Sequence, residues 1–283
     1  MDLKSFLGRS VAFARQHPTV AIGGLIVLLL VLMAVLAPFL GTRDPTALSP
    51  IRRFRPTSAQ YWFGTDHLGR DVYSRVIYGA RASLFVGFMV ALFAVGIGLF
   101  FGLIAGFNRW IDAVLMRVMD GLMAIPAVLL AIALMALTKA SLENVIVAIA
   151  IAEIPRVTRL VRGVVLSLRE QPFVEAAIAS GTSTVKILYR HILPNTIAPL
   201  LVQATYICAS AIITEAILSF IGAGLPPSIP TWGNIIAEGR AFFQIRPHLI
   251  LFPAAFLSLT VLAINMLGDG LRDALDPRLA RRL

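Results

Sequence analysis

Glu175-Ala176-Ala177-Ile178-Ala179-Ser180-Gly181, followed after twelve intervening residues by Pro194, is the stretch of this 283-residue chain whose residue types and spacing imply a job. Gln171-Pro172 opens a helix, because proline suits a first helical turn. Glu175 falls in that turn, where the helix dipole favours negative charge. Ala176, Ala177, Ala179 and Ser180 leave a nearly bare surface. Gly181 stops the helix. Thr182 or Ser183 can cap a second one, which Pro194 ends. Val185, Leu188, Tyr189 and Ile192 have the spacing of one helix face, with Lys186 and Arg190 on another. Two readings stay open. The pair is an interfacial helix hairpin, or it is a rigid knuckle that seats in a groove of a soluble partner. In the second case it passes a push to the apolar stretches on either side.

Reaction chemistry is hard to find elsewhere. The phosphate-binding pattern G-x-x-x-x-G-K-[ST] needs a lysine directly after a glycine. The lysines are Lys4, Lys139 and Lys186, and none follows one. No Ser-His-Asp, Cys-His or paired-carboxylate arrangement stands out. Cys208 is the lone cysteine, so no internal disulfide is possible. His17, His67, His191 and His248 lack metal-ligand spacing. The expectation is a non-enzymatic chain with no cofactor or metal of its own. Any ATP and Mg would be bound by partner subunits.

Composition fixes the solvent. The chain is 58% hydrophobic and 14% charged, with a mean hydropathy of +0.84; soluble domains carry about 25% charged residues. This is an integral membrane protein. Its net charge of +10 fits lipid headgroups and the positive-inside rule. Nucleic acid is not expected, since no basic stripe carries interleaved aromatics. A helix needs about 20 apolar residues to cross about 30 Å of hydrocarbon. Six stretches qualify: Thr19–Leu40, Ser83–Phe107, Ala113–Leu137, Leu142–Leu168, Ile197–Ile221 and Leu249–Leu267. The first has too long an apolar core for a signal peptide, so it reads as an uncleaved anchor. Six crossings put both termini on one side. Placing them in the cytoplasm puts fifteen of the 25 Lys and Arg there, including Arg9, Arg15 and the run Arg156, Arg159, Arg162, expected to snorkel to headgroups. The turn-rich loop from Gly41 to Ala80 lies outside and separates the first span from the other five.

Some residues stand out at membrane depth. Gly98, Gly102 and Gly106 lie on one helix face and allow close backbone approach, a tight seam whose partner helix the sequence does not name. Charged or polar groups there usually face protein or water. Asp120 follows Arg117 by three positions and reads as a local ion pair. Glu153 precedes Pro155 and can pair with Arg156 or Arg159. Glu215 has no base nearby in sequence. It either faces a water-filled path or bonds to a neighbouring helix, and Asn265 has the same standing. Pro126 and Pro155 interrupt their spans, for packing or as hinges.

The Glu175–Pro194 segment resembles the EAA loop of binding-protein-dependent ABC importer permeases: Glu-Ala-Ala, three residues, Gly, nine residues, then Ile-x-Leu-Pro. Glu175, Ala176, Ala177, Gly181, Leu193 and Pro194 match, while His191 stands at the Ile position and Ile192 follows. Further stretches are similar to the dipeptide/oligopeptide/nickel branch of that family: Phe63-Gly64-Thr65-Asp66-His67-Leu68-Gly69-Arg70-Asp71, Tyr78-Gly79-Ala80-Arg81-Ala82-Ser83-Leu84, Leu218-Ser219-Phe220-Ile221-Gly222-Ala223-Gly224 and Gly268-Asp269-Gly270-Leu271-Arg272-Asp273-Ala274-Leu275-Asp276-Pro277. The resemblance implies an all-α inner-membrane protein with a type I importer core of five helices, residues 81–270, preceded by one N-terminal helix in 1–80 and followed by a tail, 271–283. It implies a homologous second permease, two ABC ATPase subunits, an extracytoplasmic solute-binding protein, and an ATPase-coupling role for the six matching residues. The competing expectations are a secondary transporter or channel acting without an ATPase, and a structural anchor. Among substrates, dipeptides, longer peptides, glutathione-like molecules and nickel chelates stay open.

Overall fold

The computed structural model describes residues 16–275, and every regular element among them is a helix. Helix α1 (Pro18–Val35) begins on its proline. Helix α2 (Val72–Phe107) begins well before Ser83, where the span was expected, because the Asp71 carboxylate accepts the Ser74 N–H at 3.0 Å and so caps the helix. The expected boundary at 80–81 therefore falls inside α2, and that at 270–271 inside the last helix. Asn108 caps α3 (Arg109–Met123), and α4 (Ala127–Ala136) follows. Ser141 caps α5 (Leu142–Arg169) by accepting the Asn144 N–H at 3.2 Å. Then come α6 (Pro172–Ala179), α7 (Thr184–Ile187), α8 (Leu193–Ile221), α9 (Trp232–Gly239) and α10 (His248–Leu275).

Among the described residues, four stretches are long and apolar enough to cross a bilayer: α1, α2, the continuous rod Thr184–Ile221, and α10. A fifth is added if α3 and α4 count as one broken span. That pair corrects the expected third span, since its halves meet at 87°. Pro126 has no N–H and holds its preceding residue out of helical geometry, so the rod breaks. The expected fourth span, α5, has 28 residues but is too charged to pass by composition. Its arginines are answered inside the protein. Arg162 makes a two-pronged pair with Asp112 of α3, its Nη2 lying 2.7 Å from Oδ2. Arg159 meets Asp120 at 2.6 Å, so Asp120 reaches across to α5 rather than back to Arg117. Arg156 lies 3.0 Å from Glu153. The three arginines thus contact carboxylates, two of them on α3, instead of only snorkelling.

The partner of the glycine seam is α5. Gly98, Gly102 and Gly106 face Val157, Val161 and Val165. The numbers rise together, so the two helices run parallel, and the matched four-residue spacing is ridge-into-groove packing along i±4 rows. Buried Val86, Val90, Ile149, Val161 and Val165 extend this core. Helix α8 packs on α2, where Gly87 meets Ile212, and on α10, where Gly268 meets Thr205. Helix α1 is set tightly against α10: a side chain on Gly23 would strike the Ala263 carbonyl and the Leu267 amide.

Candidate coupling site

Because α2 and α5 run parallel, the loop before α2 and the segment after α5 lie at opposite ends of the bundle. The segment after α5 is built by local rules. Pro172 stands in the first turn of α6 with Glu175, whose N–H bonds to the Gln171 carbonyl at 3.1 Å. The helix ends in a double-bonded glycine turn. The Gly181 N–H donates to Ile178 O at 2.9 Å and the Thr182 N–H to Ala177 O at 3.0 Å, with Gly181 left-handed at φ 73°. Ser183 is the N-cap residue of α7, though its side chain makes no capping bond.

Pro194 was expected to end the second helix and does not. Residues Leu188–Ile192 form a π-turn, in which the Leu193 N–H reaches back to Leu188 O, and the rod continues into α8. The wider turn absorbs the proline, which lacks a donor and crowds the preceding turn. It also shifts the face. Ile187 and Ile192, five apart, are buried, while Val185 and Tyr189, expected with Ile192 on one face, are about three-quarters exposed. Val174 of α6 is fully buried beside them, and the rings of Phe173 and His191 lie 6.1 Å apart. Three inward aliphatics thus pin the hairpin to the bundle. Outward it presents Glu175, Ala176, Ala179 and Gly181, with exposed Phe173, Ile178, Val185 and Tyr189. Leu193 is half-buried and Pro194 exposed where the rod enters the bundle. Exposed Phe173 and Ile178 escaped the sequence reading, and Val185 and Tyr189 were read on one face with Ile192 rather than outward.

The three suspected path residues separate. Asn265 lines a cleft of about 370 Å³ between α4, α8 and α10, with Val128, Tyr206, Ser210 and Thr214. Glu153 is buried one contact behind it, accepting from the Ser210 hydroxyl at 3.3 Å. Glu215 is turned away. It is fully buried and accepts from Ser219 at 2.8 Å and from Thr231, the N-cap of α9, at 2.9 Å. Of its two expected surroundings, the bond to a neighbouring segment is the one present.

At the opposite end, four charged groups close on one another. Asp66 lies 2.6 Å from Arg70 and 2.8 Å from Arg75; Glu238 of α9 lies 2.5 Å from Arg75 and also meets Arg70. Burial alone pushes the Asp66 carboxyl up, but the two guanidiniums and the hydrogen bonds from Arg70 outweigh it and hold it below the ordinary range. Asp66, His67 and Glu238 also offer ligand atoms within 4.8 Å of one another, but the two arginines already balance both carboxylates. This cluster ties the loop before α2 to α9.

The profile of the binding-protein-dependent transport system inner membrane component matches residues 94–281. The chain is 56% identical over 272 residues to a probable peptide ABC transporter permease protein, y4tQ, of Sinorhizobium fredii, covering 96% of this chain and 93% of that one. It is 45% identical over 266 residues to the dipeptide transport system permease protein DppC of Alkalihalophilus pseudofirmus (94% and 88% covered). It is 44% identical over 270 residues to the glutathione transport system permease protein GsiD of Pectobacterium atrosepticum (94% and 89%). Among solved structures, a chain of the inward-facing MetNI methionine ABC transporter superposes with a TM-score of 0.58 at 21% identity, over 71% of this chain and 96% of that one; this likeness shows the fold. By its profile match and its relatives, the chain is a non-catalytic, multi-pass permease subunit of an ABC importer. The chain belongs to the binding-protein-dependent transport system inner membrane component family.

Proposed function

We propose that this chain is one of two homologous permease subunits that together enclose the translocation path of an ATP-driven importer for peptides or related small solutes. The named relatives support the substrate class: peptide, dipeptide and glutathione carriers stand at 44–56% identity. The other permease, two ATPase subunits and an extracytoplasmic binding protein complete the assembly. ATP and Mg are bound by the ATPases. Both termini and the α6–α7 hairpin face the cytoplasm, in line with the excess of basic residues assigned to that side.

The observation that carries this reading is the hairpin itself. Its inner residues, Val174, Ile187 and Ile192, are anchored in the bundle core, while its outer face is exposed. A rigid body seated in an ATPase groove moves α5 and α8 with it, because it is continuous with both. Two-state switching of those helices gives alternating access.

Gly181→Asp and Glu175→Arg test the docking. A side chain on Gly181 meets nothing within 4 Å, so the change acts through the left-handed backbone and the docking face. Both variants should reach the membrane at normal levels and lose uptake of labelled peptide by the assembled importer. Normal uptake in both would remove the coupling role. Flux through vesicles holding this chain alone would favour the ATPase-independent alternative.

A further inference from the structure

A long apolar cleft of about 830 Å³ runs between α1, α2, α8 and α10, on a face that neither the coupling hairpin nor the Asn265 cleft uses. Its walls include Val31 and Val35 of α1, Phe85 and Phe88 of α2, and Leu267 of α10. Among the described residues the lining holds one charge, Arg81.

Depth decides what that charge can meet. Arg81 and Arg109 flank the uncharged part of α2, with no Asp, Glu, Lys or Arg from Ala82 to Asn108. At 1.5 Å per residue the two lie about 42 Å apart, close to the thickness of a bilayer with its headgroup regions, about 40–45 Å. Arg81 therefore stands at headgroup level. Its contact is the Tyr78 ring, with the guanidinium 5.9 Å from the centroid, and it is exposed. From Arg81 to Gly96, both in the lining, is about 22 Å along the helix. That is longer than one leaflet of the hydrocarbon, about 15 Å.

We infer that this cleft is a phospholipid site: an acyl chain lies along α2 between α1 and α10, and the lipid phosphate sits on the Arg81 guanidinium. One molecule thus matches both features, an anion at headgroup depth and a hydrocarbon tail extending inward. A helix of another subunit would match only the apolar part, leaving the guanidinium without an anion. The inference depends on the chain lying in a bilayer and not on the coupling role of the hairpin.

The test uses the assembled importer in phosphatidylcholine vesicles containing a minor fraction of phosphatidylglycerol with a photoreactive acyl chain. Irradiation should label α1 and the Leu84–Gly96 part of α2 above the rest of the lipid-facing surface. Arg81→Gln should lower that labelling about fivefold, the weight of one basic residue at an anionic surface. Gly96→Leu should lower it by blocking the lower cleft, since a side chain there meets no neighbour within 4 Å. Labelling that is uniform over the surface, or unchanged in both variants, would overturn the site. So would labelling excluded from the cleft by a cross-linked partner helix. Inorganic phosphate should not compete; if it does, the headgroup alone is bound and the acyl part of the inference fails.

Discussion

The α2–α5 seam allows a sharp test within one helix. A side chain on Gly102 would place its Cβ 2.5 Å from Val161 Cβ and 2.9 Å from the Thr158 carbonyl oxygen, whereas one on Gly96 meets nothing within 4 Å. Relief needs the helices to part by up to about 1 Å, and a gap of that size forfeits a quarter to a half of each dispersion contact along the seam. Overpacking of this kind costs about 1–3 kcal/mol. Gly96→Ala should be neutral or stabilising by up to about 1 kcal/mol, from helix propensity alone. Denaturant titration of the purified importer, followed by near-ultraviolet dichroism, should therefore order the proteins Gly96→Ala, wild type, Gly102→Ala. Rescue sharpens the test. The clash is with Val161 Cβ as well as Cγ1 at 2.8 Å, so Val161→Ala, which removes only Cγ1 and Cγ2, should restore Gly102→Ala less than Val161→Gly does, with the Thr158 carbonyl still close in both. Equal stability of the two alanine variants, or equal rescue by the two Val161 changes, would refute the packing argument.

Arg75→Met should destabilise the end near α9 by about 3–5 kcal/mol, because it leaves buried carboxylates short of a cation, seen as earlier proteolysis of the loop before α2. The Asp66 carboxyl is held low in the folded state, so its contribution is present above the unfolded carboxylate value, about 3.9. It is lost as pH falls through the lower folded value; Asp66→Asn should flatten the stability profile in that acid window. Reversing the pair as Asp112→Arg with Arg162→Asp should recover uptake that either change alone lowers, and failure of the double variant would show that the charges act elsewhere. Gly181→Asn should retain more uptake than Gly181→Ala, since asparagine tolerates left-handed backbone, which costs other residues about 1–2 kcal/mol; the reverse order would exclude the turn as the cause.

Much of the fold is legible in the order of residues alone. Apolar length and low charge identify a membrane bundle, because a backbone in hydrocarbon must satisfy itself as helix. The hairpin after α5 was readable too, since Pro172, Glu175 and Gly181 act through local backbone rules that need no neighbour. The glycine triplet announced a seam, because an absent side chain is visible in any context.

What required three dimensions was every pairing across distance. Asp120 looked like the partner of Arg117 by spacing and met Arg159 instead, since an ion pair follows proximity in space. Glu215 looked isolated and proved to be held by Thr231 across a turn. The π-turn before Pro194 moved Val185 and Tyr189 outward, a register change that periodicity at 3.6 residues cannot express. Asp66, Arg70 and Arg75 stood in one loop and helix start, but Glu238, which completes them, arrives from α9 by tertiary packing alone. Local chemistry is written in the order of residues; the meeting of remote groups depends on how the helices cross, and only the packed bundle decides that.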